Sequence, residues 1–361
     1  MALASPALAP PALAPPLKMD NSPADPSRIL FRMPNWLGDA VMAAPAVESV
    51  RALYPEAFIG MAIKENIAEL GAIMPSVDKV YPLPNPSAAR RLVLREIFTE
   101  NYQSLVIFPN SFRSAWEFWG GGIPHRAGYS GMVRSLLLTH ALSRPPKHSV
   151  HQQDYFLSLV KSVFPDLAPA PSRIVPPDSA MEKSMKLLPH TSRPLVGIGF
   201  GATYGSAKMW PAERFAALID SLAPHVDLAL LGAPTDKDVE EKVTALATHK
   251  PVSLVGRTDI PTLAATLKRL NVYVTNDTGP MHLAAAVGTP VVGIFGPTDP
   301  HETAPLGRNV KIAHQKADCA PCWKRQCPLD HRCMAAISVD DVVKATKECL
   351  LLEKAEDSRK F

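Results

Sequence analysis

Carboxylate, lysine and histidine side chains follow strand-like apolar runs at several points of this sequence, and these residues could do chemistry. Asp39 ends the loop PNWLGD (34–39), after such a run and at the start of a helical pattern. A carboxylate there can cap the helix, or it can point into a cleft and accept a proton. The residues alone leave both alternatives open.

The segment TNDTGPMHLAAA (275–286) is the strongest candidate for a phosphate site. The pattern predicts a buried strand, a turn and a helix that begins near Pro280. Free backbone N–H groups at a helix N-terminus attract phosphate, and glycine permits a close approach. The alternative is that the aspartate caps the helix and the histidine packs locally. The candidate ligands are Asp277, Thr278, Gly279 and His282.

The loop GFGATYGSAKMWP (199–211) offers Thr203 and Lys208 ahead of another helix, and a lysine suits a phosphate. Its glycines formally fit a dinucleotide fingerprint. However, no helix opens at that turn, and the acidic residue about 20 positions later, Asp220, lies inside a helical pattern. We therefore reject a fingerprint of the NAD-binding kind.

A further strand-like run ends at GAPTDKD (232–238), where Asp236 could accept hydrogen bonds from ribose hydroxyls. Asp236 and Asp238 also form a DxD triplet of the type that holds a metal in some sugar transferases. At the start of a charged helix, such a triplet is more typical of solvent-facing capping. We predict no catalytic metal here.

Four cysteines lie close together in CAPCWKRQCPLDHRC (319–333), and they indicate a structural zinc or iron–sulfur site, or else a reduced or disulfide-linked loop. The gaps of two, four and five residues are not the two matched pairs of a zinc ribbon. Because this loop lies beyond the last predicted strand and shares no segment with the turn at 275–282, we expect it not to be catalytic. The four residues are Cys319, Cys322, Cys327 and Cys333.

These candidates must be positioned by alternating strands and helices, a rhythm that predicts parallel sheets. We predict an α/β protein with two Rossmann-like domains that face a central cleft. The first residues, 1–27, form an Ala/Pro-rich tail that we expect to be disordered. A Pro-rich stretch at 164–179 breaks the rhythm. We place a first domain at 28–175, a linker at 176–193 and a second domain at 194–361.

The composition excludes several classes of protein. The 361 residues are 47% hydrophobic and 20% charged with a net charge of +4, which is globular and lacks the basic blocks of a nucleic-acid binder. The sequence contains no run of 18 apolar residues, so we predict no membrane span. The cysteine pattern is not that of a secreted disulfide scaffold. We expect a cytoplasmic protein.

Taken together, these motifs resemble glycosyltransferase family 9, the ADP-heptose:lipopolysaccharide heptosyltransferases. The resemblance covers about residues 28–350 and rests on PNWLGDAVM, AKMWP, TNDTGPMHLAAA and GIFGPTDP. Two further stretches, FPNSFRSAW and GIPHRAGY, look more like the type II than the type I members. The resemblance implies a GT-B fold and an inverting, metal-independent transfer. The donor would be ADP-L-glycero-D-manno-heptose, and the acceptor the first heptose of the lipopolysaccharide inner core at the membrane surface.

The resemblance also implies roles for single residues. Asp39 matches the catalytic carboxylate, and Asp277 matches an aspartate that contacts the donor sugar. Asp236 stands where the family often has a glutamate near the ribose. The remaining donor-binding positions are Thr203 and Lys208 at the phosphates, with Thr278, Gly279 and His282 at the diphosphate turn.

Three other functions remain as alternatives. A family 9 transferase with another donor or acceptor would keep every motif above. A Rossmann-type oxidoreductase would bind NAD rather than ADP, which the missing fingerprint argues against. A non-catalytic protein built around the cysteine-rich loop would bind a metal or nucleotide without turnover.

Overall fold

Buried strands alternate with helices along the chain and build two parallel sheets. The computed structural model describes residues 26–202 and 204–357. The strands are β1 (Arg28–Arg32), β2 (Phe58–Lys64), β3 (Lys79–Leu83), β4 (Ser104–Ile107), β5 (His125–Tyr129), β6 (His140–Leu142), β7 (Leu195–Gly199), β8 (Asp227–Leu231), β9 (Val252–Ser253), β10 (Val272–Asn276), β11 (Val291–Phe295) and β12 (Val310–His314).

Twelve α-helices connect and cover these strands in the described part of the chain. They are α1 (Leu37–Leu53), α2 (Ser87–Thr99), α3 (Phe112–Trp119), α4 (Gln152–Val163), α5 (Asp178–Leu187), α6 (Ala212–Leu222), α7 (Lys237–Leu246), α8 (Ile260–Lys268), α9 (Gly279–Ala286), α10 (Pro300–Thr303), α11 (Arg332–Ala335) and α12 (Val339–Asp357). Short 3-10 helices lie at Glu65–Ile73, Val133–Leu137, Ser206–Lys208 and Pro234–Asp236. No helix of the described residues is long and apolar enough to cross a membrane.

Both sheets are wound in the same way. Their strand orders are β3-β2-β1-β4-β5-β6 and β12-β11-β10-β7-β8-β9, with parallel pairing throughout. In each sheet, the direction in which successive strands are added therefore reverses once. This reversal point lies between β1 and β4 in the first sheet and between β7 and β10 in the second. The predicted α/β fold with two Rossmann-like sheets is confirmed.

The central strands are buried along their whole length, as β10 (VYVTN) shows. Strands covered by helices on both faces are expected to read as continuous apolar runs, and these do. Helix α1 is rich in alanine and packs against both α4 and α9. One apolar cluster consequently extends from Phe31 and Ala40 in the first half to Met281 and Ala284 in the second. This contact holds the N-termini of α1 and α9 close together.

The segment 176–193 was expected to be a linker, but it contains helix α5. The helix packs against α8, where the Thr266 hydroxyl donates a hydrogen bond of 3.0 Å to the Ser184 hydroxyl. The prolines that suggest a break stand before the helix, and Pro177 is its N-cap. The domain boundaries themselves stay predictions, and residues 1–25 of the predicted tail lie outside the described residues.

Candidate active site

Ligands of doubly wound sheets bind beyond the carboxyl ends of the strands, at the point where the winding reverses. At that point of the first sheet, the loops after β1 and β4 line a cleft of about 220 Å³. The lining includes Asn35, Trp36, Asp39, Asn110 and Tyr155. At the corresponding point of the second sheet lie the ends of β7 and β10, with Asp277 and helix α9.

Two glycines let the two reversal points approach each other. A Cβ atom built on Gly38 would lie 3.2 Å from the Cα of Gly279 and 3.0 Å from Cδ2 of His282. Both distances are shorter than ordinary van der Waals contact, so a side chain at Gly38 would push α1 and α9 apart. Glycine in the first turn of α1, directly before Asp39, therefore brings that carboxylate towards the start of α9.

Asp39 lies in the first turn of α1 and does not cap it. The N-cap is Trp36, which has extended backbone angles and no side-chain cap hydrogen bond. Among the described residues, no hydrogen bond holds the Asp39 carboxylate. Burial raises the pKa of Asp39 to about 6, while the positive charge of Lys208 acts against this shift and the negative charge of Asp277 adds to it. The carboxylate is thus ionised at neutral pH and poised to accept a proton.

Asp277 is buried directly after β10, and one of its carboxylate oxygens accepts two hydrogen bonds. Its Oδ2 accepts hydrogen bonds from Lys208 Nζ at 2.5 Å and from Thr298 Oγ1 at 2.7 Å. The helix that follows is capped at Thr278, again without a side-chain hydrogen bond, so Asp277 is not the cap. Gly279 is the first residue of α9. A paired lysine and aspartate thereby stand beside a helix N-terminus whose N–H groups suit a phosphate.

Two cations and two aromatic rings lie around this pair. The Lys208 ammonium lies 4.7 Å from the centre of the Tyr204 ring, and the Arg325 guanidinium lies 5.4 Å from the same ring. Arg325 also lies 5.9 Å from the ring of Trp36, which lines the cleft of the first half. Cations from one half therefore face the cleft wall of the other.

His282 lies in the first turn of α9 and is buried, and its ring lies against Gly38 of α1. Burial lowers the pKa of His282 to about 4, with the charges of Lys208 and His151 acting in the same direction and that of Asp277 against it. The ring is consequently neutral at pH 7. It can exchange hydrogen bonds with a ligand, but it cannot supply a positive charge to a phosphate.

Asp236 stands at the start of α7, where the sequence analysis favoured capping over a metal site, but its side chain makes no cap hydrogen bond to that helix. It is the N-cap of α7, and its Oδ2 accepts a hydrogen bond of 2.8 Å from the Ala233 N–H. The carboxylate packs on the backbone of Gly201 and Gly232, just beyond β7 and β8. Burial raises the pKa of Asp236, and the Ala233 hydrogen bond acts against that shift. Thr203, the other predicted contact on this side, lies outside the described residues.

Comparison with known proteins identifies the family. The sequence model of glycosyltransferase family 9 (heptosyltransferase) matches residues 90–332. The chain belongs to glycosyltransferase family 9. It is accordingly a glycosyltransferase, and the motifs read from the sequence are those of its family.

Named relatives and a solved structure agree with this assignment. The chain is 30% identical over 302 residues to lipooligosaccharide heptosyltransferase 2 of Haemophilus influenzae, covering 79% of this chain and 87% of the relative. It is 28% identical to lipopolysaccharide heptosyltransferase 2 of Escherichia coli, with the same coverage. The solved structure of the E. coli ADP-heptose lipopolysaccharide heptosyltransferase II superposes with a TM-score of 0.78 at 24% identity, covering 91% of this chain and 99% of that one. The resemblance proposed from the motifs is confirmed.

The cysteine-rich loop of this family 9 chain contacts the donor-side segment 204–208, although the two are far apart in the sequence, and its non-catalytic role stays a prediction. The Tyr204 hydroxyl donates a hydrogen bond of 2.7 Å to the carbonyl of Trp323, and the Ala207 N–H donates one of 3.0 Å to the carbonyl of Arg325. Trp323 also stacks on His148 of the first half at 3.9 Å. The loop therefore braces the segment that carries Lys208.

The thiols of that loop are free and make no disulfide. Cys333 is buried, and burial together with the neighbouring thiols raises its pKa. Within the described part of the chain, no three His, Cys, Asp or Glu side chains are grouped closely enough to hold a metal ion. A metal at Cys319, Cys322, Cys327 and Cys333 thus stays a prediction that only metal analysis can test.

Sequence reasoning missed two polar residues of the site. Thr298 follows β11 and reaches Asp277 from the neighbouring strand, and Arg325 comes from the cysteine-rich loop. Thr298 stands in the family motif GIFGPTDP, and its place after a buried strand beside β10 could have indicated it. No local pattern marks Arg325, because its position depends on how the loop folds back.

Proposed function

We propose that this chain transfers heptose from ADP-L-glycero-D-manno-heptose to the first heptose of the lipopolysaccharide inner core, with inversion and without a catalytic metal. The similarity to lipopolysaccharide heptosyltransferases of type 2, one of them an ADP-heptose enzyme of solved structure, supports the donor and acceptor classes. The observation that carries the proposal is that the two halves place different charged groups at one cleft. An unpaired carboxylate, Asp39, faces a buried Lys208–Asp277 pair at the start of α9.

Asp39 is the general base of this proposal. The acceptor sugar occupies the cleft of the first half, which belongs to an acceptor-side domain at 28–175, and places one hydroxyl against the carboxylate. The hydroxyl oxygen forms a bond to the anomeric carbon while the bond from that carbon to the ADP oxygen breaks on the opposite face. The proton passes to Asp39, whose pKa of about 6 is close to the working pH, as an efficient base requires.

The second half, 194–361, binds the donor and receives the leaving charge. The electron pair of the broken bond stays on the diphosphate, so ADP becomes more negative in the transition state. Lys208 and the N–H groups of the first turn of α9, which starts at Gly279, are already aimed at this region. No metal is needed to neutralise the charge if these groups do so.

The other donor contacts follow from position. Asp277 contacts the donor sugar and holds Lys208 in place, and Thr278 and His282 line the diphosphate turn beside Gly279. Asp236 lies beyond β8, on the donor side of the second sheet, and contacts the ribose. Thr203 contacts the donor phosphates. The acceptor is lipid-anchored, so the enzyme works in the cytoplasm at the inner face of the inner membrane.

A donor panel tests the proposal against a family 9 transferase of different specificity. Purified enzyme is given ADP- and UDP-sugars with a core acceptor truncated after its first heptose, in the presence and absence of EDTA. We expect product from ADP-heptose alone, undiminished by the chelator. Turnover of another sugar nucleotide in preference to ADP-heptose would overturn the donor assignment, and loss of activity in EDTA would overturn the metal-independent step.

A further inference from the structure

Helix α3 exposes a stripe of aromatic rings that nothing in the described chain covers. Phe112, Trp116 and Trp119 stand at positions i, i+4 and i+7, which is one face of a helix, and they are 46%, 54% and 49% exposed. The opposite face, with Ala115 and Phe118, is buried. The three rings stack on one another at 5.8 and 5.5 Å, so the exposed stripe is itself ordered.

A second apolar element lies beside the stripe. The 3-10 helix Val133–Leu137 packs against α3, and Arg134 ties the two together by donating hydrogen bonds to the carbonyls of Ser111 and Pro109. Exposed apolar residues of this element and the residue before it are Met132, at 97%, with Val133 and Leu136. We call the stripe and these three residues the aromatic patch. Contiguous exposed apolar surface of this kind marks an interaction site.

The exposed charge beside the aromatic patch is positive. Between residues 111 and 149 there is one acidic residue, Glu117, which is paired with Arg90 and Arg113. Of the other basic residues in this stretch, Arg134 is buried and Arg126 is half-buried, whereas Arg144 and Lys147 are exposed. Exposed cations next to exposed tryptophans complement an anionic lipid surface, where indole rings favour the headgroup level and basic side chains attract the lipid charge.

The aromatic patch also adjoins the acceptor cleft. Asn110 and Ser111, which immediately precede α3, line the cleft that holds Asp39. Arg144 reaches the Asn110 carbonyl at 3.3 Å. A bilayer against the patch would therefore lie at the mouth of the cleft to which a lipid-anchored sugar must come.

We propose that the aromatic patch docks the enzyme on an anionic bilayer surface, with the indoles of Trp116 and Trp119 at the headgroup level. The proposal rests on the proposed function for its biological purpose, but not for its test. Docking presents the acceptor to Asp39 from the membrane side and requires no covalent step.

Vesicle binding by the full chain, without any substrate, is the first measurement. Vesicles contain phosphatidylcholine alone or phosphatidylcholine with phosphatidylglycerol. We expect binding to the anionic vesicles that weakens with salt, and a Trp116→Ser/Trp119→Ser variant that binds about tenfold more weakly or worse. An Arg144→Gln/Lys147→Gln variant should lose about fivefold per cation. The matched control is Leu306→Ser/Leu329→Ser, which removes side chains of 53% and 54% exposure in the second half and should bind like the wild type.

Three results would overturn the proposal. The first is wild-type protein that does not bind anionic vesicles, and the second is a tryptophan variant that binds them equally well. The third is a tryptophan variant that changes only self-association in sedimentation, because a second copy would then be the occupant of the patch. Circular dichroism of each variant checks that the fold is intact.

Transfer assays separate this proposal from the proposed function. With a deacylated, water-soluble acceptor, the tryptophan variant should turn over like the wild type, whereas with the acceptor embedded in anionic vesicles it should be about tenfold slower. Equal rates on embedded acceptor would contradict docking. Wild-type protein that transfers to neither acceptor would refute the proposed function and leave the vesicle-binding result standing.

Discussion

The two halves of this enzyme have the same strand order but hold their functional carboxylates in opposite states. In the first half, Asp39 has no hydrogen-bond partner among the described residues, and burial raises its pKa to about 6. In the second half, Asp277 accepts hydrogen bonds from Lys208 and Thr298 at the matching end of its sheet. One topology therefore yields one reactive carboxylate and one that is tied into a network.

The difference teaches what each half can contribute. A desolvated carboxylate without hydrogen-bond donors is costly to keep ionised, and this cost raises its pKa towards neutral pH, where it can accept a proton. A carboxylate that is hydrogen-bonded to a lysine and a hydroxyl positions the lysine instead. Chemistry is thus expected from Asp39, and binding and charge stabilisation from the network of Asp277.

The largest expected effect comes from Asp39→Asn. Asparagine keeps the shape of the side chain but cannot take a proton, so transfer should fall by about a hundred- to ten-thousand-fold. Because the donor contacts lie on the other half, ADP binding measured by calorimetry should stay normal. The free energy of unfolding at pH 7 should not fall, since a buried charge is removed.

Asp154→Asn is the matched control for that variant. Asp154 is also in the first turn of a helix that borders the cleft, namely α4, but it is exposed and points away from the lining. The Asp154→Asn variant should transfer heptose at the wild-type rate. Near-normal turnover of Asp39→Asn would mean that the base lies elsewhere in the cleft.

Lys208→Ala should have the next largest effect, and on both binding and transfer. It removes the cation aimed at the diphosphate and leaves Asp277 buried without its ion-pair partner. A charge-assisted hydrogen bond of this kind is worth about ten- to a hundredfold. Steady-state kcat and KM for the donor measure both parts. Lys311→Ala, which breaks the Lys311–Glu348 pair of 2.9 Å at the sheet edge, should leave both constants unchanged.

Thr298→Val should have a smaller effect. The variant removes one hydroxyl from Asp277 and leaves Lys208 in place, so kcat/KM should fall by about two- to tenfold. Thr289→Val is the control, because its buried hydroxyl donates to the Leu267 carbonyl at 2.7 Å, away from the cleft. That control should lower stability but not turnover. Equal kinetics of both variants would place Thr298 outside the donor network.

Cys319→Ser/Cys322→Ser should have the least effect on chemistry. The loop braces the Lys208 segment through main-chain carbonyls, which serine leaves in place. We expect the variant to have a lower thermal midpoint and to retain turnover. Elemental analysis of the wild type and of the variant shows whether a metal is bound and whether the substitutions release it. A fully stable variant without turnover would contradict this view of the loop.

Much of the fold and part of the site could be predicted because they depend on local patterns. Buried strands followed by polar turns marked both Asp39 and Asp277, since carboxyl ends of parallel strands share one edge of a sheet. Contacts between distant segments could not be read in this way. Thr298 reaches Asp277 across neighbouring strands, and Trp323 reaches Tyr204 because the cysteine-rich loop folds back. The helix α5 was missed because the prolines that precede it suggest a linker.

The pH dependence of kcat/KM, measured for the wild type and for Asp39→Asn side by side, tests the central claim most directly. A general base must be deprotonated in the free enzyme, and burial raises the pKa of Asp39 to about 6. The wild-type value should therefore be constant above about pH 7 and fall by about tenfold per pH unit well below pH 6, whereas Asp39→Asn should be slow and lack this acidic limb. An acidic limb that persists in Asp39→Asn with the wild-type midpoint would contradict the assignment of Asp39 as the base.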